Sequence, residues 1–188
     1  MSFNSEFRNM MDSYKNLMYV LTYEELRCEK EMASIAISEG YKFYTWDLWR
    51  GLCDLNNNPV TVKLDPDPDI PDYERGYSEE ISIESPTDVL NYMIGHAEQK
   101  TMIVLRDFHP FLEKPEIIRG FREFLNHCSP AEKFLIIQSP VKVIPLEIGK
   151  QIHVMDFSYP TKDEIRDFLS NPLYRTEVDV SDKLIEQS

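Results

Sequence analysis

The sequence predicts a three-layer α/β fold, in which a parallel sheet of five strands carries helices on both faces. Five apolar stretches rich in β-branched and aromatic residues alternate with stretches of helical periodicity, which is typical of strands joined by crossover helices. Two of these stretches, residues 101–106 and 134–138, are apolar almost throughout, as strands buried on both faces of a parallel sheet are. The 188 residues suffice for one domain with a full core.

The first 16 residues are predicted to form an amphipathic helix, because apolar side chains recur at a spacing of three or four. We expect this helix to pack on the domain, and a helix that binds a partner is the alternative interpretation. The apolar residues of this stripe are Phe3, Phe7, Met10, Met11 and Tyr14.

Residues 17–22 are predicted to be a buried strand that leads through one tight turn into a helix over residues 23–39. Thr22 and Glu25 fit a capping box at the start of this helix. In such a box the threonine hydroxyl accepts a hydrogen bond from the N–H three residues on, and the glutamate accepts one from the N–H of the threonine. Gly40 fits the position that ends a helix, because glycine adopts the left-handed conformation easily.

An acidic loop over residues 54–84 follows the next predicted strand, at residues 41–46. Prolines at alternate positions oppose a helix and remove sheet donors, so we expect extended backbone with a short hairpin at residues 60–64. A cation site is not favoured, because the spacing lacks the glycine and the glutamate of an EF-hand loop. The aspartates that would form it are Asp65, Asp67 and Asp69.

The second half of the chain continues the alternation of helix and strand. Ser85 fits a helix cap, followed by a proline in the first turn and an acid at the third position, and this helix extends to about residue 99. Thr161 and Glu164 fit a second capping box. The remaining predicted elements are strands at residues 101–106, 134–138 and 152–157, helices at residues 116–127 and 162–170, and a helical turn after Pro145.

The chain therefore divides into three parts. No internal repeat is present, and the Asp/Pro loop is the one tract of low complexity. The parts are an N-terminal helix over residues 1–16, an α/β domain over residues 17–170 and a polar tail over residues 171–188.

The charge of the chain excludes several classes of function. A net charge of −13, from 33 acidic and 20 basic residues, argues against binding to nucleic acid or to an anionic membrane. No apolar run approaches the roughly 20 residues that span a bilayer, so we expect no membrane insertion. Basic protein partners are compatible with this charge.

The three cysteines argue for a reducing compartment. Their number is odd and their spacing is wide, which fits neither a disulfide framework nor a zinc site. Since the N-terminus has no signal-peptide pattern, we expect a cytoplasmic protein. The cysteines are Cys28, Cys53 and Cys128.

The order of the strand ends resembles the ATPase module of the AAA+ superfamily, which is part of the P-loop nucleoside triphosphatases. Residues 17–25 (LMYVLTYEE) stand at the place of Walker A, residues 102–109 (MIVLRDFH) at Walker B and residues 134–139 (FLIIQS) at sensor 1. The resemblance implies a RecA/AAA-like fold. Polar residues at these strand ends would correspond to the nucleotide site.

The chain is more closely similar to the amino-terminal portion of an AAA ATPase family of cyanobacteria and plastids, known from a hypothetical chloroplast reading frame. The similarity runs from about residue 15 to residue 170 and implies a location in the plastid stroma as an alternative to the cytoplasm. In that family a second, catalytic AAA domain follows this portion. The matching residues are Tyr19–Glu25, Val104–His109, Ser139 and Pro140, Ile144 and Pro145, Met155–Phe157 and Pro160.

The nucleotide-site positions that the resemblance implies carry little of the expected chemistry. A phosphate loop needs glycines, so that its N–H groups converge on the phosphates, and a lysine that neutralises them. Residues 22–29 would occupy this loop, yet they contain no glycine and place Cys28 at the lysine position. The implied nucleotide-site positions are Thr22, Glu24, Glu25, Asp107 and Ser139.

Three of these positions decide the predicted activity. Glu24 and Glu25 put negative charge where a β-phosphate would lie, at a helix end that favours carboxylates. Asp107 is retained, but Phe108 follows it where an acidic residue that orients the attacking water is expected. We therefore predict no catalytic residue, no bound metal and no cofactor, with ATP and magnesium disfavoured.

Other candidate sites are weaker. Asp107 with His109 could form a metal or acid–base pair, although a structural role is favoured because no motif supports the pair. His127 and Cys128 lack further zinc ligands, and no GxSxG motif surrounds Ser139. The resemblance implies that Arg119 and Arg122 could reach a neighbouring subunit, whereas an exposed flank of a helix is the alternative.

Three hypotheses for function follow. The first is a degenerate AAA+-like module that does not hydrolyse ATP and serves assembly or regulation, in contact with an AAA domain or with copies of itself. The second is a sensor that binds ATP without hydrolysis, or a module whose ATPase activity comes from a C-terminal AAA domain. The third is a small-molecule enzyme that uses the cleft at the strand ends.

Overall fold

The computed structural model describes residues 2–63, 80–129, 132–162, 165, 166 and 170. The chain forms two compact units, Met1–Phe157 and Ser158–Ser188. In the second unit the N–H of Ile165 donates a hydrogen bond to the carbonyl of Thr161 over 3.0 Å, as in a helical turn. Glu164, which the second predicted capping box requires, and the tail over residues 171–188 lie outside the described residues.

The described part of the first unit alternates helices and strands as predicted. A turn of π-helix, Tyr92–His96, continues the third helix, which therefore ends before the predicted residue 99. The elements are α1 (Phe3–Asp12), β1 (Leu17–Leu21), α2 (Glu25–Ser38), β2 (Lys42–Asp47), β3 (Gly51–Cys53), β4 (Thr61–Lys63), β5 (Glu80–Ser82), α3 (Pro86–Asn91), β6 (Thr101–Arg106), α4 (Pro115–His127), β7 (Lys133–Ser139) and β8 (His153–Asp156).

The main sheet has the strand order β3–β2–β6–β7–β1–β8. Five of its strands are parallel, which confirms the predicted α/β fold and its five parallel strands. The sixth, β3, is antiparallel to β2 at the edge and was not predicted. The chain reverses into β3 at Gly51, whose φ of +71° favours glycine and where a Cβ atom would lie 2.7 Å from the carbonyl oxygen of Ile83.

Two apolar cores lie on the two faces of this sheet, which gives the predicted three layers. Side chains alternate along each strand, so neighbouring residues enter different cores. Met18 and Val20 pack with α1 and α2, whereas Leu17 and Tyr19 pack with α3 and α4. The N-terminal helix is part of the first core, since Phe7 and Met11 are buried.

The boundaries of the helices test the predicted capping residues. Ser85 caps α3, as the sequence predicts, and the side chain of Asp88 completes a capping box that was not predicted. Gly40 follows α2 with a φ of +79°, which confirms it as the residue that ends this helix. Within the acidic loop, the strands β4 and β5 form a separate antiparallel pair, whereas Asp65, Asp67 and Asp69 lie outside the described residues.

Candidate functional site

The carboxyl ends of β1, β6 and β7 border one cleft of about 200 Å³. Ligands of open α/β sheets bind at this end of the strands, because the loops there surround a crevice. Four of the five implied site residues line this cleft. The lining consists of Thr22, Tyr23, Glu25, Asp107, Gln138, Ser139 and Pro140. The fifth residue, Glu24, instead accepts a hydrogen bond of 3.0 Å from Nε of Arg27.

The turn between β1 and α2 differs from the predicted capping box. The hydroxyl of Thr22 accepts a hydrogen bond from the N–H of Glu24 over 2.9 Å, two residues on rather than three. The N–H of Thr22 donates to the carbonyl of Ser139 over 3.1 Å and is not available to Glu25. The predicted box is therefore wrong, because the hydroxyl closes a local turn before the helix begins.

Residues 22–29, which the resemblance places at the phosphate loop, form a turn followed by the start of a helix. Three residues, 22–24, connect β1 to α2, and the helix begins at Glu25. Cys28, implied to stand at the lysine position, lies in the second turn of the helix and is fully buried. Burial raises the pKa of its thiol, and so does the nearby carboxylate of Glu29. This side chain faces the core, and the short turn leaves no loop that could surround a phosphate.

Asp107 and Phe108 lie on opposite sides of the backbone after β6. Asp107 is exposed at the cleft, adopts a φ of +47° and donates its N–H to the carbonyl of Gln138 over 2.9 Å. The side chain of Phe108 has no exposed surface. Its ring packs edge-on against Trp46, Phe111 and Phe121, with centroid distances of 5.3, 5.4 and 5.8 Å. The position after Asp107 therefore belongs to the core and not to the cleft.

The polar residues of β7 connect the cleft to its surroundings. Oγ of Ser139 lies 2.8 Å from Nδ1 of His109 and accepts a hydrogen bond of 3.1 Å from the N–H of Val141. Nε2 of Gln138 donates to the carbonyl of Glu25 over 3.0 Å, which ties β7 to the start of α2. His109 is thus bonded to Ser139, and the structural role favoured for Asp107 and His109 stays a prediction.

Arg106, which sequence reasoning missed, is the buried cation beside this cleft. Its Nε and Nη2 atoms bind the two carboxylate oxygens of Glu29 over 2.6 and 2.7 Å. Nη1 binds Asp47 over 3.1 Å, and Nε lies 3.7 Å from Glu25. Two signals could have indicated it: an arginine that ends an apolar strand, and Glu29 one helical turn after Glu25. The cation is fully engaged by carboxylates.

The acidic groups around Arg106 influence each other. Partial burial raises the pKa of Glu25, and the neighbouring carboxylates of Glu29, Asp107 and Asp47 raise it further against the effect of Arg106. Burial is the largest cause of this shift, and the neighbouring carboxylates add to it.

The two arginines implied to contact a partner lie on α4. Arg119 is exposed and forms an ion pair with Glu123 one turn later on the same helix. Nη2 of Arg122 donates to the carbonyl of Glu147 over 3.3 Å. Both side chains face solvent, and their contact with a partner remains a prediction.

The remaining candidate ligands do not converge. Among the described residues, no group of three or more His, Cys, Asp or Glu side chains is arranged to hold a metal ion. Cys28, Cys53 and Cys128 are free, buried thiols, and burial raises the pKa of each. No helix in the described ranges is both long and apolar enough to cross a membrane.

Comparison with known proteins identifies the family of the first unit. A family model described as the N-terminal domain of SpoVK-like AAA ATPases matches residues 3–157. The matched range ends where the first compact unit ends, at Phe157.

Relatives of the chain are uncharacterized AAA domain-containing proteins named ycf46. The protein of Guillardia theta is 27% identical over 168 residues, which cover 88% of this chain and 29% of the relative. Those of Gracilaria tenuistipitata var. liui and Pyropia yezoensis are 23% and 26% identical, each over 88% of this chain and 30% of the relative. The chain thus spans less than a third of the length of these relatives.

Proposed function

The chain belongs to the family of SpoVK-like AAA ATPase N-terminal domains, and we propose that it is a module that does not hydrolyse ATP and serves assembly or regulation. Its partner is an AAA domain or a second copy of the chain. We propose that, in a longer protein, a separate AAA domain supplies any ATPase activity; the matched segment covers 29% of the relative from Guillardia theta. The plastid stroma or the cytoplasm is the location that we propose with it.

The lining of the cleft is the observation that carries this proposal. Phosphate sites at a helix start rely on converging N–H groups and a cation. None of the residues that line this cleft is a lysine or an arginine, and two of them, Glu25 and Asp107, are acids. The nearest buried cation, Arg106, is bound by Glu29 and Asp47. These charges oppose an anionic ligand.

The size of the cleft supports the same conclusion. Its volume of about 200 Å³ lies below the roughly 300–1,000 Å³ of pockets that hold small molecules and cofactors. The turn between β1 and α2 has three residues, 22–24, whereas a Walker A motif spans about eight.

The position of Phe108 supports the absence of hydrolysis. Hydrolysis by this class of enzyme needs a polar group that orients the attacking water beside the metal-binding aspartate. The residue that follows Asp107 points into the aromatic core instead. A polar side chain at position 108 would have to leave that core before it could orient a water molecule in the cleft.

The experiment combines calorimetry and phosphate release on the intact chain with ATP and magnesium. We expect no heat of binding, no shift of the melting temperature and no release of phosphate. Turnover that the substitution Asp107→Ala abolishes would overturn the proposal, with Glu113→Ala outside the cleft as a control for contaminating activity.

A sensor that binds ATP without hydrolysis is the second candidate. The exposed carboxylate of Asp107 at the cleft favours it, because a carboxylate can hold a magnesium-bound water. Saturable heat of binding with a stabilising melting shift, and no phosphate release, would select this candidate. Loss of that heat in Asp107→Ala would locate the site.

A further inference from the structure

The cleft at the ends of β1, β6 and β7 contains a buried hydrogen-bond acceptor without a partner. Gln138 is 2% exposed and lines this cleft. Its Nε2 atom donates to the carbonyl of Glu25, which fixes the orientation of the amide because a carbonyl oxygen can only accept. Oε1 is buried, and no described residue donates a hydrogen bond to it. Since buried polar atoms are nearly always bonded, Oε1 indicates a donor from outside the described chain.

Two carboxylates border the cleft together with this acceptor. The N–H of Asp107 donates to the carbonyl of Gln138 over 2.9 Å, and the side chain of Gln138 is bonded to the backbone of Glu25. Both acids line the cleft, and their carboxylates are near enough to repel each other. None of the lining residues is a lysine or an arginine. The cleft therefore offers oxygen acceptors and negative charge to a ligand.

The hydroxyl groups of Thr22 and Ser139 are already engaged within the chain. That of Thr22 accepts the N–H of Glu24 over 2.9 Å. That of Ser139 accepts the N–H of Val141 over 3.1 Å and lies 2.8 Å from Nδ1 of His109. The acceptors that remain for a ligand are the amide oxygen of the buried glutamine and the two carboxylates.

The chain neutralises these two carboxylates only in part. Asp107 is exposed and forms no ion pair with any residue that the structure describes. Glu25 lies 3.7 Å from Nε of Arg106, but Glu29 binds the same nitrogen more closely, over 2.6 Å. The side chain of Glu25 is 44% exposed. Both carboxylates can therefore accept further hydrogen bonds from a cation.

These acceptors fit a guanidinium group better than a metal ion. In the described part of the chain, no three His, Cys, Asp or Glu side chains converge to hold a metal, and Mg²⁺ demands nearly octahedral oxygen ligands. A guanidinium is planar, presents several N–H donors in a fixed arrangement and binds carboxylates through paired hydrogen bonds. Because it is weakly hydrated, it loses less than an ammonium does on entering a partly buried site.

The rim and the size of the cleft also agree with such a group. Tyr23 lines the cleft and is 76% exposed. Guanidinium planes stack on aromatic faces. The volume of about 200 Å³ lies below the roughly 300–1,000 Å³ of pockets that enclose a whole small molecule. The cleft thus matches the end of one basic side chain.

We propose that this cleft binds the guanidinium group of an arginine from a partner protein. The carboxylates of Glu25 and Asp107 accept hydrogen bonds from it, Oε1 of Gln138 accepts another, and Tyr23 stacks on its plane. The net charge of −13 favours a basic partner in the same way. The inference rests on the proposed assembly function and names the chemical group by which the partner is held.

NMR titration of the isotopically labelled intact chain with three blocked tripeptides tests this site. The peptides carry arginine, lysine or citrulline between two glycines, and citrulline keeps the shape of arginine without its charge. With the arginine peptide we expect saturable chemical-shift changes at the amides of Glu25, Asp107 and Ser139. The citrulline peptide is expected to have a dissociation constant about tenfold higher or more. The lysine peptide is expected to bind more weakly than the arginine peptide.

Butylguanidinium identifies the source of the guanidinium group, because it carries this group without a peptide backbone. We expect the arginine peptide to bind at least as tightly as butylguanidinium. Binding of butylguanidinium with exclusion of the peptide would identify a free small molecule as the ligand and would overturn the partner protein.

A matched pair of substitutions locates the site. Asp107→Asn removes a charge from the cleft, whereas Asp12→Asn makes the same change at an exposed residue of α1 that does not line it. Asparagine tolerates the φ of +47° at position 107, so circular dichroism is expected to show a native fold. We expect Asp107→Asn to raise the dissociation constant of the arginine peptide about tenfold. Asp12→Asn is expected to leave it unchanged.

Three results would overturn the proposal. They are the absence of saturable shifts, which would leave Oε1 to solvent, equal binding of the arginine and citrulline peptides, and binding that Asp107→Asn does not weaken. A chain that binds neither the arginine peptide nor ATP removes the arginine site alone. A chain that hydrolyses ATP removes the non-hydrolysing module, whatever the peptide titrations give.

Discussion

Arg106 and Glu29 form a two-pronged ion pair across 77 positions of the chain, with oxygen–nitrogen distances of 2.6 and 2.7 Å. Both side chains are buried, and the pair joins the end of β6 to the second turn of α2. A third contact, from Arg106 to Asp47, extends the network to the hairpin of β2 and β3. The cleft at the strand ends and the hairpin thus share one buried cation.

Arg106→Met is expected to lower the free energy of unfolding by about 3–5 kcal/mol, because it leaves buried carboxylates without their counter-ion. Urea denaturation followed by circular dichroism measures this loss. Arg119→Met is the control, since it removes an exposed ion pair with Glu123 that contributes about 0–1 kcal/mol. Equal stability of the two variants would contradict the assigned role of the buried pair.

Phe108→Ala is expected to lower the free energy of unfolding by about 3–5 kcal/mol, since it removes a ring packed against three others. Phe108→Glu, which restores an acid next to Asp107, is expected to be less stable still and to release no phosphate from ATP. Thermal melting and a phosphate assay measure the two properties. A stable Phe108→Glu variant that hydrolyses ATP would show that this position can serve the cleft.

Glu25→Gln is expected to stabilise the chain at neutral pH. Burial and neighbouring carboxylates raise the pKa of Glu25 above its usual 4.5. The folded state therefore holds the proton more tightly than the unfolded state. As the pH rises from the usual pKa to the raised pKa of the folded state, ionisation of Glu25 increasingly destabilises the fold. The gain from Glu25→Gln should vanish below about pH 4.5, the usual pKa. Denaturation as a function of pH checks this.

Glu116→Gln, in the first turn of α4, is the control for the Glu25 substitution. It tests whether the loss of an acid at any helix start has the same effect, because carboxylates stabilise that end of a helix. We expect this control to be slightly destabilising at neutral pH. Stabilisation by both variants would mean that the excess charge of the whole chain, and not the surroundings of Glu25, is responsible.

Asp107→Gly is expected to raise the free energy of unfolding by about 1 kcal/mol, because a φ of +47° is strained for a residue with a Cβ atom. Asp107→Ala keeps the Cβ atom and is expected not to stabilise the chain. Thermal melting of the two variants separates backbone strain from the loss of the carboxylate. Equal melting temperatures would contradict strain at this residue.

The sequence predicted those features that short stretches determine on their own. The strand β6 was predicted with its observed ends, because the four apolar residues 102–105 lie between the polar residues Thr101 and Arg106. The cap of α3 was also predicted, since Ser85 and Asp88 are three residues apart and need no other part of the chain. The overall fold followed from the order of such stretches.

Features that depend on distant residues were missed or misplaced. The strand β3 has three residues and is stabilised by the bond from the N–H of Leu52 to the carbonyl of Ile83, which no local pattern indicates. Thr22 caps a turn and not the helix because its own N–H is bonded to Ser139. The pairing of Arg106 with Glu29 depends on how α2 lies on the sheet.

The three native thiols are buried, so the rate at which a reagent labels them reports how often the fold opens. Burial keeps them protonated by raising their pKa, and only the thiolate reacts with disulfide reagents. Their labelling must therefore wait for the core to open, so its rate measures how often the fold opens.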